Sequence, residues 1–281
     1  MIRNSPEDGP LGKKSAPRRS NSFVESLARG LEVIRAFGGD AEHMTLSEVA
    51  KRTGLTRANV RRVLLTLVEL GYVEQDERYF QLRPKILDLG YAYLSSASLG
   101  RIAQPSLERL AREVNCPTSL SVLEGKDIVY IARAIAGTPV HLHRPLNIGT
   151  RLPAHITAMG RVLLGALSEP EFNRYLALAE WPRLTAQTVT EPGRIRDIVR
   201  HDRQAGWSFL DSELSDYTFS LAAPVRGVGG DIVAAVSLGS SGATTKDSAA
   251  QTLLPALLVA AREISDLALK SHIKALGWQA G

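Results

Sequence analysis

Between Lys51 and Arg62 the chain places five basic residues, Lys51, Arg52, Arg57, Arg61 and Arg62, with no acid among them. Arginine matches guanine and asparagine matches adenine, because each side chain can make a bidentate pair on a base edge in the major groove. Arg57, Asn59 and Arg61 are spaced to meet base edges from the first turns of one helix. Arg62, Lys51, Arg52 and Thr56 are placed to hold phosphates, which position a protein on DNA without reading its sequence. The competing reading is an ordinary solvated basic helix face. Arg78 adds one more cation further along the chain, with Asp76 and Glu77 beside it working against it.

A second set of residues suits a small anion. His141 and His143 stand two apart on an expected strand and so share a face. His155 offers an imidazole to a carboxylate or phenolate, and Arg151 a fork that can bind a carboxylate bidentately, unless it pairs with a surface acid. The three histidines could also be packed core residues or zinc ligands. Ser220 has no GxSxG elbow around it and is not read as a nucleophile. No GxGxxG follows a strand and no GxxxxGK[ST] is present, so no nucleotide fold is indicated. The chemistry on offer is binding rather than catalysis, with no cofactor or metal expected.

These residues need elements to position them. Residues 46–67, LSEVAKRTGLTRANVRRVLLTL, read as two helices joined by a tight turn: Ala50 at the crossing, Gly54 able to turn left-handed, Thr56 as an N-cap. Val49, Leu55, Val60 and Val63 supply the contacts between them. Apolar residues at helical spacing from Phe23 to Phe37 predict a preceding helix. YVEQDERYFQLRP alternates around Asp76-Glu77-Arg78 as a hairpin does. Three helices and a hairpin make a winged helix-turn-helix at 22–84. Residues 85–97 are expected to form a linker helix, and residues 1–21 a disordered basic tail whose Lys13, Lys14, Arg18 and Arg19 could touch DNA.

The remaining stretch, 98–272, is α+β. Helical spacing appears at 101–113, 153–167, 169–179, 194–205 and 246–270. Strand-like runs appear at 118–125, 127–134, 138–143, 207–214, 219–227 and 231–239. Antiparallel meanders with helices on one face suggest a sensor domain. At 281 residues with 44% apolar content the chain can bury two cores. A net charge of +5 leans only weakly towards an anionic partner. The single cysteine, Cys116, excludes an internal disulfide and fits a reducing cytoplasm. No apolar run is long enough for a membrane span, and no signal peptide opens the chain.

Three motifs in order resemble the IclR family of bacterial transcription regulators. They are Phe23 to Leu31 leading into the helix pair and wing; Ile148 to His155 leading into Met159-Gly160-Arg161-Val162-Leu163-Leu164; and Gly206-Trp207-Ser208 with Asp211 and Glu213, followed by Leu221 to Arg226. The wording RLPAHITAMGRVLL is most similar to the branch that controls protocatechuate and β-ketoadipate pathway genes. The resemblance implies a GAF/PAS-like effector domain with an antiparallel sheet and flanking helices. It also implies a homodimer or dimer of dimers on a palindromic double-stranded operator, a small carboxylate effector, and activation or repression through operator affinity or RNA polymerase recruitment. The implied pocket includes His141, His143, Arg151, His155, Ala158, Met159, Asp211, Glu213, Ser220 and Ser237. Asp216-Tyr217-Thr218-Phe219 departs from the family's usual stretch, so the effector could be aromatic or a short-chain or sugar acid. Two other classes stay open: an enzyme carrying a winged helix, and a DNA-binding protein whose second domain only dimerises.

Overall fold

The computed structural model describes residues 22–38, 41–95, 99–136, 146–242, 244–275 and 277–279. The expected basic arm at Lys13 to Arg19 and the expected strand carrying His141 and His143 lie outside them. The chain divides into two compact units, Met1–Gly90 and Tyr91–Gly281.

In the first unit, helix α1 (Glu25–Ala36) is followed by a short strand β1 (Met44–Thr45), then α2 (Leu46–Thr53) and α3 (Arg57–Glu69). Each start is fixed locally. Thr45 and Glu48 form a reciprocal capping box at α2, and the Thr56 hydroxyl accepts from the Asn59 amide at 3.3 Å to start α3. Gly54 ends α2 at φ 69°, in the left-handed region where a side chain is strained. Val33, Phe37, Val49, Val60, Leu64 and Leu67 close the core between the helices. Strands β2 (Val73–Asp76) and β3 (Tyr79–Leu82) form the hairpin, and β1 pairs with β3 to make a three-stranded sheet. A 3-10 turn at Pro84–Ile86 leads into α4 (Leu87–Ser95), where the division between units falls.

The second unit is built on a six-stranded antiparallel sheet. Its strands are β4 (Thr118–Glu124), β5 (Asp127–Ala134), β6 (Arg151–Pro153), β7 (Ser208–Asp211), β8 (Thr218–Arg226) and β9 (Ile232–Ser241), in the order β6-β5-β4-β9-β8-β7. Helices cover both faces, not the one face expected from the sequence. The helices α5 (Leu99–Val114) and α10 (Leu254–Lys270) pack Leu107, Leu110, Leu257 and Ile264 on Leu221, Val225 and Val236. On the other face α6 (Ala158–Leu164), α7 (Glu169–Leu178) and α8 (Pro192–Ala205) pack Val162, Tyr175 and Ile195 on Ile128, Ala222 and Ala235. Both faces are needed because the strands are apolar on both sides, as a fully covered sheet requires.

Two expected helices prove to be interrupted. At 153–167, a 3-10 turn (Ala154–Ile156) is separated from α6 by Thr157, extended at φ −133°. Thr157 caps α6: its hydroxyl accepts from the Gly160 amide at 3.0 Å and donates to the Ala154 carbonyl at 3.1 Å. Gly160 lies directly on that turn, where a Cβ would stand 2.0 Å from the Ala154 oxygen. At 246–270, the break at Leu253 separates α9 (Lys246–Thr252) from α10, and Pro255 opens the second helix.

Candidate functional site

The first candidate surface is α3. Its N-terminal turns expose Arg57 and Arg61, four residues apart on one face of the helix, and Arg62 beside Arg61, with no acid in the first turn. Arg57 reaches the Ser47 hydroxyl on α2, which holds its guanidinium at the helix's leading end. Asn59 is half-buried, and its backbone amide serves the Thr56 cap. Lys51 is exposed at the end of α2.

Arg52 has a role other than phosphate holding. Its Nη1 donates to the Ala36 and Gly38 carbonyls at 2.8 and 3.2 Å, capping the C-terminal end of α1. Arg78 stands in the two-residue hairpin turn, donates to the Tyr79 hydroxyl at 3.0 Å and lies over its ring. The residue before it, Glu77, takes φ 48° to make that turn.

The second candidate site is a pocket on the α6 face of the sheet, with about 580 Å³ of empty space including its open mouth. Its floor follows from strand register. Ser119 pairs with Arg133 on one side and Ser237 on the other, and all three line the pocket. Ser220 on β8 and Tyr130 on β5 extend the floor, while Thr157, Ala158 and Met159 at the start of α6 form one wall. Leu210, Leu214 and Thr218 form the opposite, mostly apolar wall, while Phe219 borders the pocket but packs its side chain into the core of the other sheet face.

Arg133 reaches this face because of a β-bulge. The register steps from Leu120 opposite Ala132 to Ser121 opposite Tyr130, leaving Ile131 as an extra residue. Simple alternation would send Tyr130 and Arg133 to opposite faces; the extra residue turns both into the pocket. Half-buried there, Arg133 has its pKa drawn below the ordinary arginine value by desolvation, and its Nε is buried without a hydrogen-bond partner. Burial likewise pushes the Tyr130 phenol up to about 12. The first-turn amides of Ala158 and Met159 have no intrahelical acceptor, as at any helix start. The pocket therefore pairs apolar walls with one partly desolvated cation and a floor of hydroxyls, a combination that suits a small acid with an apolar body.

Several expected pocket residues lie elsewhere. Arg151 pairs at the surface with Asp127 at 3.2 Å and donates to the Glu124 carbonyl at 2.8 Å, so its fork is already engaged. Asp211 is exposed at the end of β7 and accepts from the Ser212 hydroxyl.

Glu213 is buried against Arg161. A single Nη2 lies 2.8 and 2.7 Å from its two oxygens. His155 is 1% exposed, with Nδ1 and its own amide both at Tyr175 Oη (3.0 and 3.1 Å) and its ring 4.6 Å from Trp181. Burial, then the nearby Arg161, lowers its pKa to about 4, so it is a neutral core residue. Ala158, Met159, Ser220 and Ser237 do line the pocket. Among the lining residues outside the expected set are Arg133, Tyr130, Ser119, Thr157, Thr218, Leu210 and Leu214. The one signal available for Arg133 was a charge inside an otherwise apolar strand run. Among the described residues, no group of three or more histidine, cysteine or acidic side chains is gathered as a metal site, and no helix is long and apolar enough to cross a membrane.

Comparison with known proteins covers both units. Residues 26–77 match the IclR helix-turn-helix domain, and residues 91–266 match the bacterial transcriptional regulator IclR C-terminal domain. The Pca regulon regulatory protein of Pseudomonas putida is 39% identical over 243 residues, covering 86% of this chain and 83% of that protein. The p-hydroxybenzoate hydroxylase transcriptional activator of Acinetobacter baylyi is 32% identical over 222 residues, covering 78% and 82%. A solved regulator from Rhodococcus sp. RHA1 is 44% identical with a TM-score of 0.75, covering 88% of this chain and 98% of that one. Two ordered domain matches, a relative aligned over most of both chains and a shared fold lead to one conclusion: this chain belongs to the IclR family of bacterial transcriptional regulators.

Proposed function

We propose that this regulator controls an operon for aromatic acid breakdown and that a small aromatic carboxylate bound in the α6-face pocket is its signal. The observation that carries the proposal is Arg133, a partly desolvated guanidinium with an unpartnered buried Nε, set among the Ser119, Ser220 and Ser237 hydroxyls. A carboxylate there would supply the missing acceptor, and the apolar walls from Met159, Leu210 and Leu214 suit a ring. The names of the Pseudomonas and Acinetobacter relatives support an aromatic pathway.

On the output side, Arg57, Asn59 and Arg61 read base edges, while Arg62, Lys51, Thr56 and Arg78 hold the backbone. The protein acts in the cytoplasm as a homodimer or dimer of dimers on a palindromic operator. The effector works by favouring one arrangement of the paired DNA-binding units, changing operator affinity or polymerase recruitment. A coupling of about 1–3 kcal/mol is enough for such a switch.

Calorimetric titration with 4-hydroxybenzoate, protocatechuate, β-ketoadipate and a sugar acid tests the effector class. One of the aromatic acids is expected to bind and to change operator retardation in a gel shift. Binding only to the sugar acid, or no binding at all, would overturn the proposal.

A further inference from the structure

The two walls of the pocket are joined by groups that do not line it. Arg161, one turn beyond Ala158 and Met159 on α6, is 2% exposed; it pairs through Nη2 with both oxygens of Glu213 and donates from Nε to the His155 carbonyl at 3.0 Å. Glu213 lies in the β7–β8 connection directly before Leu214, which forms the facing wall. The same carboxylate accepts from the Val189 amide at 3.0 Å. Its carbonyl accepts from the Thr188 hydroxyl at 2.7 Å, and Thr185 donates to the Ser212 carbonyl at 2.7 Å. The 185–189 segment, the 212–213 segment and the head of α6 thus meet at one buried ion pair.

We infer that Arg161 and Glu213 are positioning residues for effector recognition, a strut that fixes the distance between the α6 wall and the Leu214–Thr218 wall. The inference rests on the pocket being the effector site. Stability alone gives little reason for such a pair. Desolvating two charges offsets most of their attraction, and well-packed apolar replacements of buried pairs are often neutral or stabilising. What an apolar pair cannot supply is direction. One guanidinium nitrogen on two carboxylate oxygens, with a third donor from Val189, defines a single placement of the β7–β8 connection. Arg161 is also anchored through its Nε to the carbonyl of His155, the central residue of the 3-10 turn leading into α6. A shift of the Leu214 wall on effector binding would therefore be carried to α6 through rigid polar contacts.

The double substitution Arg161→Met/Glu213→Leu tests this in the full-length protein. Urea unfolding followed by tryptophan emission is expected to show the second unit at least as stable as in the natural protein. Hydrogen exchange on the ligand-free protein is expected to speed up at 212–218 and 157–161 while β4, β5 and α10 keep their protection. Titration with whichever aromatic acid the natural protein binds is expected to weaken about tenfold or more, within the usual span of inter-site couplings.

Unchanged exchange in those two segments would overturn the strut, whatever the ligand result. So would undiminished affinity in a protein whose natural form binds the acid. If the natural protein binds none of the acids, the effector proposal fails separately and exchange alone decides the strut. Should the double variant fail to fold, Glu213→Gln takes its place and is read by the same exchange and titration. Because it keeps the shape and removes the charge, normal exchange in that variant would be the refuting outcome.

Discussion

Lowering the pH from 7 to 4.5 should destabilise the second unit through His155. The imidazole is 1% exposed, faces Tyr175 and Trp181, and has an Nε2 with no partner. Its pKa falls from 6.5 to about 4, mainly by burial and secondarily by the Arg161 charge. The unfolded chain therefore takes up a proton between pH 6.5 and about 4 that the folded chain refuses. More protons bound in the unfolded state means that stability rises with pH in this window and is lost as the pH falls through it.

A shift of this size is worth about 3 kcal/mol. That is a large share of the roughly 5–15 kcal/mol that holds a domain together. All three tryptophans, Trp181, Trp207 and Trp278, lie in the second unit, so tryptophan emission follows that unit alone. Urea unfolding at several pH values should show the natural protein losing about 2 kcal/mol more than His155→Gln between pH 7 and pH 4.5. The buried Asp202 and the capped Glu48 and Glu171 also titrate with shifted pKa values, but they are common to both proteins and cancel in the difference. Protonation should also quench Trp181, 4.6 Å away, in a step near pH 4 that the variant lacks. Parallel stability curves for the two proteins, or a His155 titration near pH 6.5, would refute the reasoning.

Replacing Arg133 with Met should weaken carboxylate binding about 10- to 150-fold, the worth of a hydrogen bond to a charged group, with little effect on unfolding; calorimetry reads both this and partial retention in Arg133→Lys. Arg62→Ala should weaken binding to every DNA sequence and lower the slope of log affinity against log salt by about one unit. Arg57→Ala and Asn59→Ala should in addition narrow the gap between operator and random DNA, and an equal loss on both DNAs would sink their assignment as base readers. Gly160→Ala should destabilise the second unit by about 1–3 kcal/mol, because its Cβ would meet the Ala154 carbonyl at 2.0 Å; an unchanged urea midpoint would show that the 3-10 turn can give way.

The helix-turn-helix was legible because its determinants are local. Thr56 and Gly54 act within three or four residues of where they stand. Of the four apolar contacts read from the spacing, Val49 and Val60 are fully buried while Leu55 and Val63 pack partly buried against the same core, which Leu64 completes. The position of the exposed arginines on α3 follows from the same periodicity. Arg52 escaped because its partners, the Ala36 and Gly38 carbonyls, belong to a different helix. In the second unit the strands at 118–125, 127–134 and 231–239 were readable as short apolar, β-branched runs bounded by turn residues. Helix interruptions at Thr157 and Leu253 were not, since each break depends on what the flanking turn packs against.

The sequence by itself determined the two-part organisation and the helix-turn-helix, because caps, glycine turns and apolar periods act over a few residues, and its ordered motifs carried the resemblance that named the second domain. Only the tertiary structure decided which side chains enter the pocket. His155 and Arg151 carry suitable chemistry, but one is enclosed by Tyr175 and Trp181 and the other is taken by Asp127. Arg133 enters through a single extra residue, Ile131, which shifts the strand's alternation by one. The physical reason is that strand facing has a period of two, so one bulged residue exchanges inside for outside, and nothing in the local residue types records where the neighbouring strand will impose it.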